Sequence, residues 1–310
     1  VPATVPAKVP TAAGAWQGSA MSATTGTGGT AGGEPGAPAG DEAIRYAVSG
    51  GVATITIDAA DTGNSLTASM RDALTDHLEW ASADHRVRAV VLTGAGERHF
   101  CTGANLAGPQ RPSPPRPEGA PDRLLGDAAR MIRRGWQRLV AAVLDCEKPV
   151  VAAVNGTAAG GGAHLVLAAD LVVMADHAKL VEVFVRRGIL PDAGGAWLLP
   201  RIVGPQLTKE LMFLADDVPA ARCAELGIAN RVVPGAELAD TVEELTARLA
   251  AAPTKALALT KWLVNRSFES SRHTAFEEEA AAQEWLMASA DFAEGLTAFR
   301  ERRSPEFRGY

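Results

Sequence analysis

Lys148-Pro149-Val150-Val151-Ala152-Ala153-Val154, followed by Asn155-Gly156-Thr157-Ala158-Ala159-Gly160-Gly161-Gly162-Ala163-His164, is the stretch that decides how this chain folds. Its first half is a short unbroken apolar run, the pattern of a strand buried on both faces. Its second half is a turn of small residues, and Gly160–Gly162 open a helix expected to run through Ala168. Glycine lets backbone N–H groups approach a ligand closely, and a helix start favours negative charge. A second strand-end segment, Phe100-Cys101-Thr102-Gly103-Ala104-Asn105-Leu106, has the same character. Two N–H groups converging from such loops would make an oxyanion hole, while the same glycines also suit tight turns and close packing. Neither segment is a Walker loop, and Gly160–Gly162 lacks the spacing of a dinucleotide site.

Outward from this stretch, strands and helices alternate. Ile44–Val48 and Val52–Asp58 flank Gly50-Gly51 as a hairpin, and Thr67 caps a helix reaching about Ala83. Ala89–Thr93 is a buried strand, with a glycine turn at Gly94–Gly96 and a short strand ending at His99-Phe100-Cys101. A helix is predicted from about Arg123 to Leu144, and strands at Leu171–Ala175 and Lys179–Val183. From Gln206 onward helices take over, at 206–215, 219–226, 235–251, 254–267 and 271–302. The fold class is therefore α/β, with a mixed core over residues 43–205 and a helical C-terminal region over 206–310. Residues 1–42 are Ala/Gly/Pro/Thr-rich, with only Lys8 and Glu34 charged before residue 41, and are expected to be a disordered tail.

Composition excludes several functions. A net charge of −6 over 310 residues argues against a nucleic-acid or membrane-surface binder. Cys101, Cys146 and Cys223 are odd in number and lack ligand spacing, so neither a disulfide framework nor a metal site is expected. No apolar run has the length of a membrane span, and no targeting signal is recognisable, so a cytoplasmic location is expected.

Five ordered segments carry a specific resemblance: 100–106, 148–164, Gly188-Ile189-Leu190-Pro191-Asp192-Ala193-Gly194-Gly195, the 220–233 helix and strand, and Glu294–Arg302. Together they resemble the crotonase, or enoyl-CoA hydratase/isomerase, superfamily over about residues 43–308. The resemblance implies a crotonase-like spiral of ββα turns, with C-terminal helices building a homotrimer or a dimer of trimers. It implies an acyl-CoA thioester as substrate, an enolate formed at the thioester oxygen, and no cofactor apart from the CoA of the substrate. By position, the oxyanion donors would be the N–H groups of Ala104 and Gly161. Thr102 would meet the adenine of CoA through its carbonyl, and Ser65 and Leu66, in Asn64-Ser65-Leu66, would start the CoA-binding wall.

The chain also departs from this pattern. Hydratases of the family use two glutamates, and the matching positions here hold His164 and Phe184. A phenyl ring transfers no proton. Glu182 lies two residues earlier, is expected to point differently, and does not count as a replacement. Asp192 resembles the acid/base of isomerase-type members, including the epoxyphenylacetyl-CoA isomerase type, although an Asp there also serves as a turn or helix cap. His164 suits a second acid/base or a packed core residue equally. The favoured function is an isomerase working through Asp192. A hydratase using His164 with Asp192 and a non-catalytic acyl-CoA binder are the alternatives. Cys101 reads as an inert core thiol. The Pro-rich loop over 107–122 reads as a lid or a surface insertion, and Phe299 as a pocket wall or ordinary helix packing. Arg300, Arg302 and Arg303 read as CoA-phosphate contacts or a solvated face.

Overall fold

The computed structural model describes residues 40–107, 115–121 and 124–310. The expected tail lies outside the described residues up to residue 39, as do residues 108–114 and 122–123 of the Pro-rich loop. The described part opens with the predicted hairpin, β1 (Ile44–Ser49) and β2 (Val52–Ile57), paired antiparallel. The helix α1 (Ala68–Ala83) follows. The Thr67 hydroxyl accepts from the Met70 N–H at 3.2 Å, and Met70, Leu74, Leu78 and Ala81 form its buried stripe.

Two sheets are then built in parallel. β3 (Ala89–Gly94), β5 (Val150–Val154) and β7 (Leu171–Ala175) enter one sheet, and after each the chain crosses to a second sheet as β4 (His99–Cys101), β6 (Thr157–Ala159) and β8 (Lys179–Val181). The first sheet has the order β1-β2-β3-β5-β7-β10, and the second β4-β6-β8-β9, with β9 at Val218–Pro219 and β10 at Arg231–Val233. One strand per sheet and one helix per turn make a ββα spiral. Every residue of β3 and β5 is buried, which explains their unbroken apolar sequence. Asparagines pin the crossings. Asn64 donates to the carbonyls of Ala95 and His99 at 3.0 and 2.6 Å, and Asn155 donates to those of Gly94 and Gly96 at 2.9 and 2.6 Å.

The third turn carries α2 (Asp127–Ile132), one π-helical turn at Arg133–Gln137, and α3 (Arg138–Asp145). The helix predicted from Arg123 thus starts later and is widened in its middle. α4 (Gly161–Ala168) starts and stops where predicted. The strand predicted at 179–183 ends at Val181 instead, and a 3₁₀ turn takes over at Val183–Arg187. The helices α5 (Gly195–Val203), α6 (Pro205–Leu214), α7 (Ala220–Glu225), α8 (Leu238–Ala251), α9 (Thr254–Arg266), α10 (Arg272–Met287) and α11 (Ala290–Glu301) complete the chain. The single helix predicted over 271–302 is two, because the Ser289 hydroxyl accepts from Phe292 N–H at 3.1 Å and starts a new one. Lys261 ties α9 to the core by donating to the Asp170 carboxylate and the Val143 carbonyl, each at 2.8 Å. Among the described residues, no helix is long and apolar enough to cross a membrane.

Candidate active site

The site is assembled mostly from backbone. Leu66 and Ala104 form a parallel bridge, in which Leu66 N–H donates to the Gly103 carbonyl at 2.8 Å and Asn105 N–H donates to the Leu66 carbonyl at 2.9 Å. Such a bridge bonds the neighbours of Ala104 and leaves its own N–H on the opposite side. The Gly161 N–H lies in the first turn of α4, where no intrahelical acceptor exists. The two loops touch: a Cβ built on Gly103 would lie 3.3 Å from the Gly161 nitrogen. Gly162 is closer still to its neighbour, since a Cβ there would lie 2.0 Å from the Cys101 carbonyl oxygen. Only a glycine lets the helix start press against the end of β4 in this way. Trp136, carried by the π-helical turn, covers Gly161 with its ring, and the Arg71 guanidinium lies 5.7 Å from the ring centroid.

Asp192 lies in the loop before α5 and is half-buried. It does not cap that helix: the N-cap is Gly194, with no side-chain cap bond. Burial raises the Asp192 carboxyl above the usual carboxylate range, while its own backbone N–H and the neighbouring His164 and Arg71 pull it partly back. His164 is fully buried, with its ring stacked on Phe184 at a centroid separation of 4.9 Å. Its Nε2 lies 3.1 Å from the Glu182 carboxylate, which is also buried. From sequence, Glu182 is set aside as lying two residues before position 184 and pointing differently. In the structure β8 ends at Val181, Glu182 takes φ −83° and ψ 65°, and the side chain turns inward to His164. Phe184 is buried and supplies an apolar wall.

The remaining positions separate clearly. The Thr102 hydroxyl donates to the Gly63 carbonyl at 2.9 Å, and Ser65 and Leu66 are buried beside the 103–105 loop. Cys101 is fully buried, and burial pushes its thiol up to about 12, so it offers no nucleophile at neutral pH. Phe299 does not pack within the chain, being 83% exposed. Arg303 is engaged by the carboxylates of Glu294 and Glu301. Trp136 was not foreseen, because its approach to Gly161 depends on the widened turn before α3, and neither was the Arg71 guanidinium over its ring. No group of three or more His, Cys, Asp or Glu side chains among the described residues could hold a metal.

Comparisons with known proteins give the family. The enoyl-CoA hydratase/isomerase family model matches residues 47–310. A Rhodobacter capsulatus protein named "Probable enoyl-CoA hydratase" is 38% identical over 266 residues, covering 86% of this chain and 98% of its own. The 1,2-epoxyphenylacetyl-CoA isomerase of Escherichia coli is 36% identical, covering 84% of this chain and 97% of its own. The crystal structure of an enoyl-CoA hydratase from Bacillus anthracis superposes with a TM-score of 0.76 at 31% identity, covering 87% of this chain and all of that one. With its spiral of two sheets and its backbone-lined loops, the chain belongs to the enoyl-CoA hydratase/isomerase family.

Proposed function

We propose that this protein shifts a double bond in an acyl-CoA thioester, using Asp192 as the single acid/base. The thioester oxygen would sit between the N–H groups of Ala104 and Gly161. The ionised Asp192 takes a proton from the α-carbon of a 3-enoyl thioester, and the C–H electrons delocalise into a dienolate whose charge rests on the thioester oxygen. The same carboxyl then returns the proton at the γ-carbon, and the double bond moves into conjugation. Each oxyanion donor is worth about 2.7–4 kcal/mol in a water-excluded site.

One observation carries this reading: Asp192 is a partly desolvated carboxyl that caps nothing, next to His164 and Arg71, in a site where position 184 is a phenyl ring. A hydratase working through His164 and Asp192 is the second reading, favoured by the electrostatic coupling of those two side chains. A non-catalytic acyl-CoA binder is the third. Incubation of 3-enoyl- and 2-enoyl-CoA in deuterated water separates them. Isomerisation gives deuterium at the α- or γ-carbon that disappears in Asp192→Asn. Formation of 3-hydroxyacyl-CoA that survives this change rules the isomerase out, and tight binding without exchange indicates the binder.

We also infer a trimer. Phe276, Trp285 and Phe299 of the C-terminal helices are 59, 65 and 83% exposed, more aromatic surface than an isolated chain ordinarily leaves in water. Light scattering at micromolar concentration tests this, and a monomer mass would refute it.

A further inference from the structure

The proton transfer through Asp192 makes no use of the buried pair His164–Glu182. The two side chains are 0 and 1% exposed and 3.1 Å apart. Beyond that mutual bond, His164 Nδ1 and Glu182 Oε1 have no hydrogen-bond partner among the described residues. Sealing such groups away from water costs free energy, and an apolar pair of similar volume would fill the space at least as favourably. The pair therefore calls for an explanation beyond packing.

Its neighbours supply one. The imidazole is wedged between two turns. Its ring stacks on Phe184, and its Nε2 edge stands only 2.0 Å from where a Cβ of Gly195 would be. Gly195 is the first residue of α5, three residues beyond Asp192. The ring thus supports the turn that carries Asp192. His164 is also one of the two side chains that act to lower the Asp192 carboxyl, the other being Arg71 from α1. Cys101, whose carbonyl meets the start of α4, contributes no charge at neutral pH because its thiol is pushed up to about 12.

We propose that Glu182 and His164 are positioning residues for Asp192. Glu182 accepts the Nε2–H and fixes the ring. The fixed ring holds the 192–195 turn and faces the Asp192 carboxyl, and neither side chain touches substrate. The proposal rests on Asp192 being the base, so the test reads the carboxyl and the turnover separately.

The variants are Glu182→Leu, His164→Gln, the conservative Glu182→Gln, and Asp192→Asn. Titration of the Asp192 carboxyl by carbon NMR needs no substrate, with Asp192→Asn identifying the signal. Its midpoint should move in both Glu182→Leu and His164→Gln, and upward in His164→Gln, where a side chain that favours the ionised form is lost. On 3-enoyl-CoA, kcat should fall roughly 10- to 100-fold in both, with KM changed less than about twofold and the acid limb of the pH profile moved the same way. Glu182→Gln can still accept the Nε2–H and should recover most of the rate. If Glu182→Leu does not fold, His164→Gln carries the test, since its amide can still donate to Glu182. An unmoved Asp192 titration in both variants overturns the proposal whatever the turnover shows. Wild-type kcat in both, with Asp192→Asn inactive, overturns it while leaving the base assignment standing. An active Asp192→Asn removes the base assignment and this proposal together.

Discussion

Two helices of this protein are built on opposite terms. All eight residues of α4 are buried, down to the imidazole of His164. Of the sixteen residues in α10 only Ala282 is buried, while Phe276 and Trp285 stand in the open. The first helix needs nothing from outside the chain: β4, β6 and Trp136 pack against it, and its Gly161 N–H lies in the first turn without an intrahelical acceptor. The second leaves Phe276 and Trp285 uncovered by its own chain, and a second copy covering them is part of the trimer proposed above. The proposed chemistry thus lies where packing tolerates no change, and the proposed assembly where the single chain leaves slack.

The sharpest way to break this contrast is to enlarge one side chain in each helix. In Gly162→Ala the new Cβ meets backbone, 2.0 Å from the Cys101 carbonyl oxygen, and no rotamer change relieves it. We expect a stability loss of about 3 kcal/mol or more in urea denaturation, with loss of α-carbon exchange. Enlarging the exposed Ala281 on α10 to Leu should change stability by less than about 0.5 kcal/mol. Equal effects would mean that α4 is not held as described.

Asp192→Asn tests the same contrast through charge. Loss of the carboxylate should cost about 10²- to 10⁴-fold in double-bond shift. Its effect on stability should have the opposite sign. Burial raises the folded-state pKa of Asp192, so its favourable contribution is complete below the unfolded value and is lost as pH rises through the folded one. At neutral pH the ionised group is a burden, and the Asn variant should melt higher than wild type. Below pH 3 the difference should vanish. Activity, which needs the ionised base, should rise with pH along a limb lying above the ordinary carboxylate range.

At the assembly end, Trp285→Ser should shift the sedimenting species toward monomer at micromolar concentration while leaving the far-ultraviolet spectrum unchanged. An unchanged mass would show that this face lies outside the subunit contact.

The legibility of the sequence follows the same division. Val150–Val154 and Gly161–Ala168 were readable because local period and glycine position settle them without long-range help. Asp192 and His164 were readable as positions, and their surroundings were not. The inward turn of Glu182 depends on β8 ending at Val181, a boundary that the sequence of residues 179–183 does not display. Trp136 depended on a π-helical turn, which leaves the hydrophobic spacing almost unchanged. The break between α10 and α11 falls at Ala288-Ser289, where the helical pattern continues on both sides and only a serine side chain marks the new start.

That serine gives the finest comparison. Thr67 and Ser289 make the same N-cap bond, 3.2 Å to Met70 N–H and 3.1 Å to Phe292 N–H, in the enclosed and the uncovered part of the chain. An N-cap is worth about 1 kcal/mol in either place. In α1 the buried stripe of Met70, Leu74 and Leu78 couples the first turn to the core, so Thr67→Ala should lower global stability by about that amount. In α11 the only buried side chains are Asp291 and Ala298, so the loss in Ser289→Ala should remain local. Hydrogen exchange should then show faster opening of residues 290–294 in Ser289→Ala, with the core amides of β3 and β5 exchanging as in wild type. If those core amides accelerate as much as in Thr67→Ala, the C-terminal helices unfold together with the spiral, and the division drawn between the two regions fails.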